Sequence, residues 1–258
     1  MSVLIIYFFN IFIICISYFS YLFREATKNK FEGPMGLIPT VGRIMAFNGT
    51  YFQGLPKYTP HLKYISNFLP EDNDPMPMEF TIQNGTFKHF LHDEFEWIEM
   101  PYINEQLTLC LLLPRHDRSV RGILERLTYS NLCDIICSTQ DVIADLHLPP
   151  VRLIWNFDMA IQMQLAGIQK IFEKEAEMSR MVKNYRNLHC DSVIMNLDFS
   201  LMNLTKMNIP VITEESLKSK QSSCKNFIVN IPFIYYLTYG KAPYRIVIFA
   251  GCVNRIEL

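Results

Sequence analysis

The sequence predicts an α+β domain with several antiparallel or mixed β-sheets and short helices, behind a hydrophobic N-terminal segment. Three observations lead there. Alternating or continuous apolar runs of strand length recur along most of the chain. Near the middle the apolar spacing changes to three and four, the helical period, over two short stretches. A long polar connection, residues 203–225, interrupts the late strands. Strands and helices mixed in this order belong to α+β architectures. The chain has 258 residues, 50% of them hydrophobic and 19% charged, with a net charge of -1. That is enough for one domain with a sizeable core. The charge balance gives no basis for nucleic-acid binding or for attraction to an anionic membrane surface.

Residues 1–22 contain no Asp, Glu, Lys, Arg or His. They are rich in Ile, Phe and Tyr, and their clearly polar members are Ser2, Asn10, Ser17 and Ser20. Arg24, Lys28 and Lys30 follow. About 20 apolar residues span a bilayer as a helix. Three readings fit: a signal peptide cut near Ser17 with Cys15 two residues before it, a retained anchor, or a buried helix. No basic stretch precedes the segment, as a signal peptide would have, and the positive flank on its C-terminal side favours a cytoplasmic body for an anchor. The expectation is entry into the secretory route and an extracellular product, with a membrane-anchored protein as the alternative. Any membrane contact would run through this segment alone.

Residues 43–52 read as a strand containing Ile44, Ala46 and the pair Tyr51-Phe52. Residues 67–77 read as a loop, because Pro70, Asp72, Asn73, Asp74, Pro75 and Pro77 cluster there. Strands are expected at 87–90, 95–102 and 106–113. In the second of these Phe95, Trp97 and Glu99 share one face, with Ile98 and Met100 on the other. Residues 120–127 and 129–136 then read as two short helices, the second capped by Thr128 or Ser130. A strand follows at 142–154, and a helix at 157–165 stopped by Gly167. Residues 193–201, 227–239 and 245–253 read as further strands.

Seven cysteines are present: Cys15, Cys110, Cys133, Cys137, Cys190, Cys224 and Cys252. Cys133 and Cys137 lie four apart on an expected helix, a spacing that rarely suits a disulfide. Cys110 and Cys252 fall inside apolar strand-like runs and read as buried thiols. There is no Cys-x-x-Cys pair and no histidine spacing typical of zinc, so no metal or other cofactor is expected. Ser200 and Asp198 alternate on a strand with no base beside them, and nothing in the sequence supports a hydrolase or other enzyme. Asn48, Asn84 and Asn203 each begin an N-glycosylation pattern. Asn84 and Asn203 lie in loop-like stretches and are the better acceptors, while Asn48 falls within a strand.

Four stretches, in order and at the right spacing, resemble serpins, the serine-protease-inhibitor family. Asn48-Gly49-Thr50-Tyr51-Phe52-Gln53-Gly54 is similar to the family's Asn-x-x-Tyr-Phe-x-Gly at the end of a central strand of the main sheet. Glu99-Met100-Pro101-Tyr102, with the leucine run ending at Pro114, is similar to a hairpin of the family. Leu148-Pro149-Pro150-Val151-Arg152, then Leu165-Ala166-Gly167-Ile168 and Phe172, resembles the strand, helix and turn that follow. Phe227 to Pro232-Phe233, with Phe249, Gly251 and Val253, resembles the C-terminal strands. The resemblance covers about residues 26–257, expected as a partial serpin domain. The family's N-terminal helical half has no counterpart in this sequence, so the chain reads as a truncated product or an incomplete one.

The resemblance implies a function. An inhibitory serpin offers a loop as bait, forms an acyl-enzyme with the protease, and inserts the cut loop as a new strand into the main sheet. Insertion needs small residues in the loop's N-terminal hinge, where the family has Glu-Glu-Gly-Thr followed by alanines. The matching positions here are Asn203, Leu204, Thr205, Lys206, Met207, Asn208 and Ile209, followed by Pro210. Lys206 would have to be buried, and burial of an unpaired ammonium costs several kcal/mol. Pro210 removes a backbone donor from any new ladder. Met195 stands where the family has a histidine that helps to control sheet opening, and Pro56 lies nearest the place of a family tryptophan. The scissile bond falls within Lys218, Ser219, Lys220, Gln221 and Ser222, and its lysines suit a trypsin-like serine protease with an acidic pocket. The same lysines also read as a plain solvated loop. The expectation is a serpin degenerate in trapping. A non-inhibitory binding or carrier protein on the same scaffold is the alternative.

Overall fold

The structure is a computed structural model. It describes residues 2–8, 21, 24–25, 29, 44–72, 74–116, 119–178, 188–202, 208–219, 224–242 and 244–256. Among these the elements run β1 (Ser2–Phe8), β2 (Ile44–Gln53), β3 (Leu62–Phe68), β4 (Met76–Leu91), β5 (Phe95–Pro101), β6 (Leu107–Pro114), α1 (Val120–Leu124), α2 (Tyr129–Ser138), β7 (Gln140–Leu148), β8 (Arg152–Asp158), α3 (Ala160–Leu165), β9 (Cys190–Ser200), β10 (Val211–Ile212), α4 (Glu214–Ser219), β11 (Lys225–Ile228), β12 (Phe233–Tyr239) and β13 (Ile246–Val253). They fall into two compact units, residues 1–53 with 152–200 and residues 54–151 with 201–258.

The first unit is a four-stranded sheet in the order β1-β2-β9-β8. β2 and β9 run parallel, and the outer pairs are antiparallel. Of the hydrophobic leader, Ser2–Phe8 forms β1, with Ser2 opposite Thr50 and Phe8 opposite Ile44. Apart from Tyr21, the rest of residues 1–22 lies outside the described residues. No helix among the described residues is long and apolar enough to cross a membrane. The helix expected at 157–165 begins only at Ala160, because Phe157 and Asp158 complete β8. Asp158 Oδ1 accepts from the amides of Ala160 and Val193, both at 2.9 Å, and so turns the chain out of the strand. Gly167 stops the helix as expected. Its φ of 93° lies in the left-handed region that glycine tolerates best.

The second unit is a nine-stranded sheet whose path is β10-β3-β4-β5-β6-β12-β13, with β7 pairing β4 and β11 pairing β7. The sixteen residues of β4 join its two arms. Residues 76–82 pair with β3, residues 81–89 with β7, and residues 88–91 with β5. The expected strand at 87–90 is therefore only its end, and β3 was not anticipated at all. The loop expected at 67–77 shrinks to 69–75, because Asn67 and Pro77 pair with each other across β3 and β4.

Two long expected strands each divide at proline, which offers no amide to a ladder. The run 142–154 breaks at Pro149-Pro150 into β7 and β8, which belong to different units. The run 227–239 breaks before Phe233 at Pro232 into β11 and β12. Leu109, Cys110, Leu111 and Leu112 are fully buried, so β6 is covered on both faces and its sequence does not alternate. β5 behaves likewise: Trp97, Ile98, Glu99 and Met100 are all buried. Beside this arm a small core joins Phe95, Trp97 and Leu112 to Val120 and Ile123 of α1 and Ile135 of α2. Helix α1 is shorter than expected and is capped by Ser119, whose Oγ accepts from Gly122 at 3.0 Å. Thr128 caps α2, accepting from the Asn131 amide at 3.3 Å while its own amide donates to Asn131 Oδ1 at 3.0 Å. Cys110 is buried as expected, but Cys252 is exposed, because β13 is an outer strand of its sheet.

Candidate functional site

Where the chain leaves β9, three of the sequence motifs converge on Leu201. The Tyr102 hydroxyl donates to the Leu201 carbonyl at 3.0 Å, and the Leu201 amide donates to the Val151 carbonyl at 3.1 Å. Gly54 packs against the same carbonyl. A Cβ there would lie 2.3 Å from Leu201 O and 2.3 Å from the Tyr102 ring. Glycine is therefore required at the end of the Tyr-Phe-x-Gly motif by close approach rather than by a special φ. Pro56, expected nearest the place of a family tryptophan, forms a bridge to Tyr102. Met202 follows, and its Sδ accepts from Gln83 Nε2 at 2.9 Å. Leu201 and Met202 are both buried, so the loop leaves a fixed point.

Of the expected hinge, Asn203, Leu204, Thr205, Lys206 and Met207 lie outside the described residues. Asn208 is exposed and Ile209 is buried. The chain then docks on the edge of β3. The Pro210 carbonyl accepts from the Lys63 amide at 2.9 Å, and Val211 and Ile212 pair parallel with Lys63 and Tyr64. Pro210 thus serves this ladder through its only backbone polar group. Thr213 caps α4, accepting from Ser216 N at 3.3 Å, and Glu214 and Glu215 sit in the first turn, where the helix dipole favours acids. Of the expected scissile region, Lys218 and Ser219 close α4. Lys220, Gln221 and Ser222 lie outside the described residues. The loop expected from sequence is therefore partly a strand and a helical turn.

Beyond the loop, Lys225 begins β11 opposite Ala144 of β7. Its Nζ lies 3.4 Å from Glu96 Oε1 and 4.7 Å from the centre of the Phe227 ring. Beneath the docked segment, Tyr64 OH and His147 Nδ1 are 2.8 Å apart. Both residues are buried. Burial, and next the charge of Glu214, pushes the Tyr64 hydroxyl up to about 12. Burial lowers the His147 value below the usual 6.5, against the raising effect of its hydrogen bond with Asn226. Sequence reasoning missed this pair. Its signal was a histidine and a tyrosine at inward positions of strands whose other buried residues are apolar.

In the first unit, β2 and β9 pair from Ile44 opposite Cys190 to Gln53 opposite Ser200, with a bulge at Asp191 and an unbroken register from Met45 onward. Met195 stands directly opposite Asn48. Arg152 grips the buried Asp198 through two bonds, Nε to Oδ1 at 3.0 Å and Nη2 to Oδ2 at 2.9 Å. That bidentate pair ties β8 to β9 and occupies the aspartate that a hydrolase would have needed. Among the described residues no group of three His, Cys, Asp or Glu could hold a metal ion. Of the glycosylation candidates, Asn84 sits mid-strand in β4 rather than in a loop. It remains exposed there, and its Nδ2 donates to Asp145 Oδ1 at 2.7 Å. Asn48 is half-buried in β2, and Asn203 lies outside the described residues.

A family model described as Serpin (serine protease inhibitor) matches residues 21–256. Serpin B4 of Homo sapiens is 23% identical over 228 residues, covering 84% of this chain and 57% of that protein. Antithrombin-III of Mus musculus is 26% identical over 156 residues, covering 57% of this chain and 34% of that protein. The chain thus spans just over half the length of the one relative and about a third of the other. A solved structure of thyroxine-binding globulin in complex with thyroxine is similar with a TM-score of 0.80 at 14% identity, covering 94% of this chain and 65% of that one. At that identity the likeness shows the fold alone.

Proposed function

Because the chain belongs to the serpin family, we propose that it presents residues 203–225 to a trypsin-like serine protease as a cleavable loop, and that it does not trap the protease. The observation that carries this reading is the docking of the loop directly after its hinge. Val211 and Ile212 are paired with β3, and a segment so paired cannot at the same time pair between β2 and β9. Insertion therefore begins with the loss of the Pro210–Lys63 bond and the β10 ladder. It then meets the burial of Lys206 and the missing amide of Pro210. The first of these alone opposes insertion by several kcal/mol. Insertion has to outrun hydrolysis of the acyl-enzyme, and a barrier of that size slows it by orders of magnitude.

The test is limited trypsin digestion followed by mass mapping and thermal melting. Cleavage is expected at Lys218 or Lys220, with the melting temperature unchanged because no strand is added. A large rise in melting temperature after the cut contradicts the proposal. Entry into the secretory route through residues 1–22, with glycosylation at Asn84 and Asn203, belongs to the same reading; a cut near Ser17 then removes β1 from its place beside β2. Expression in a eukaryotic host should give a glycosidase-sensitive product in the medium. Retention in the cytosol with no mobility shift would remove this part. A carrier role on the same scaffold is the second reading. It shares the non-trapping loop and needs a ligand cavity, for which the groove beside α1 and α2 is the observation in its favour.

A further inference from the structure

The core beside α1 and α2 is open at one end. There the turn between β4 and β5 faces the two helices across a groove of about 260 Å³. Its floor is Phe90, Phe95, Ile123, Leu127 and Ile135. Phe95, Ile123 and Ile135 belong to the small core, and Phe90 and Leu127 pack against it. The groove is thus floored by rigid apolar and aromatic surface rather than by a flexible loop. Its volume is near the lower end of small-molecule sites and suits a ligand with a single ring.

The rim is charged unevenly. Arg126 Nη1 lies 2.9 Å from Glu94 Oε1, so the one arginine of the rim is already neutralised. Arg126 Nε is also spent on the Gly122 carbonyl at 2.9 Å. Asp134, on the groove-facing side of α2, is exposed, and its carboxylate has no ion-pair partner among the described residues. His92 stacks on Phe95 with ring centres 4.6 Å apart. Its Nδ1 accepts from the Glu94 amide at 3.2 Å, so the neutral ring carries its proton on Nε2. The lining therefore offers aromatic faces below and one uncompensated negative charge above.

We propose that this groove binds a small aromatic cation, an arylalkylamine in chemical class. The ring lies on the apolar floor and the ammonium is drawn to Asp134. Aromatic faces attract cations through the ring quadrupole, and a carboxylate adds a charge-assisted hydrogen bond. An aromatic anion of the same shape has no basic partner left, because Arg126 is held by Glu94. The inference supplies the ligand class for the carrier reading and does not depend on the loop chemistry. A trapping loop would leave it standing, and an empty groove would leave the loop proposal standing.

The test is isothermal titration calorimetry of the full chain with 2-phenylethylamine, phenylacetate and propylamine. Saturable one-site binding is expected for the first. Phenylacetate and propylamine should each bind at least about tenfold more weakly, the scale of one charge-assisted bond or one buried ring. Asp134→Asn should weaken the amine by a similar factor. Asp134 is exposed, so the substitution spares the core. Ser138→Trp, on the exposed rim, should block the groove and abolish binding while the melting temperature stays unchanged. Equal binding of phenylacetate, or amine binding indifferent to both substitutions, overturns the proposal. So does the absence of saturation by 2-phenylethylamine up to roughly 10 mM, where affinity has no structural meaning.

Discussion

At Leu201 the backbone of a single residue is held by contacts from three motifs that are distant in sequence. Gly54, Tyr102 and Val151 all meet it. Gly54→Ala forces a Cβ against a carbonyl and a ring that are both fixed, and overpacking of this kind destabilises by about 1–3 kcal/mol. The expected outcome is a fall in melting temperature of roughly 3–10 °C, read by thermal melting. Tyr102→Phe removes only the hydroxyl and leaves the Leu201 carbonyl buried with one partner fewer. The expected loss is about 1 kcal/mol, measured by urea denaturation. The glycine and the tyrosine were visible in the sequence as motif residues. Their shared target was not, because Leu201 carries no sequence signal beyond being apolar. The same limit hid Tyr64 and His147. Each looks like a lone polar residue in a strand until the fold sets them 2.8 Å apart.

That pair gives the elements β3, β7 and β11 a pH dependence. His147 is buried and its folded value lies below the usual 6.5, so the folded state binds fewer protons than the unfolded chain. Its contribution to stability is complete above about pH 6.5 and is lost as pH falls through that value toward the lowered one. Denaturant titrations between pH 8 and pH 5 should show stability falling on acidification. His147→Gln should flatten that slope while lowering stability at pH 8. A slope unchanged by the substitution would mean that other groups carry it.

At this scale most strands were legible from apolar runs, and the failures have physical causes. β3 was missed because its alternation is broken on both faces: Ile65 points outward and is exposed, Ser66 interrupts the inward side, and only Tyr64 and Phe68 are buried. The division of residues 142–154 at Pro149-Pro150 was legible in principle, because the prolines were present. The apolar residues on both sides masked the change of sheet.

For the whole molecule, the family resemblance carried more than composition could, because motif order survives where pairwise identity is low. The fold class and the family were legible in this way. The docking of Val211–Ile212 on β3 was not, since two residues have no periodicity to read. That docking yields a prediction of its own. Lys206→Thr with Pro210→Ala should relieve both obstacles to insertion, and the cleaved double variant should melt higher than the cleaved parent. Equal melting of the two would show that the β3 ladder, or a barrier elsewhere, dominates.

In the proposed function the loop is cut without capture of the protease. The most direct test is incubation of the full chain with trypsin at equal concentration, then electrophoresis after boiling in detergent. Cleaved protein and free protease are expected, with no band at their combined mass. A detergent-stable band at the combined mass would show that the loop still traps.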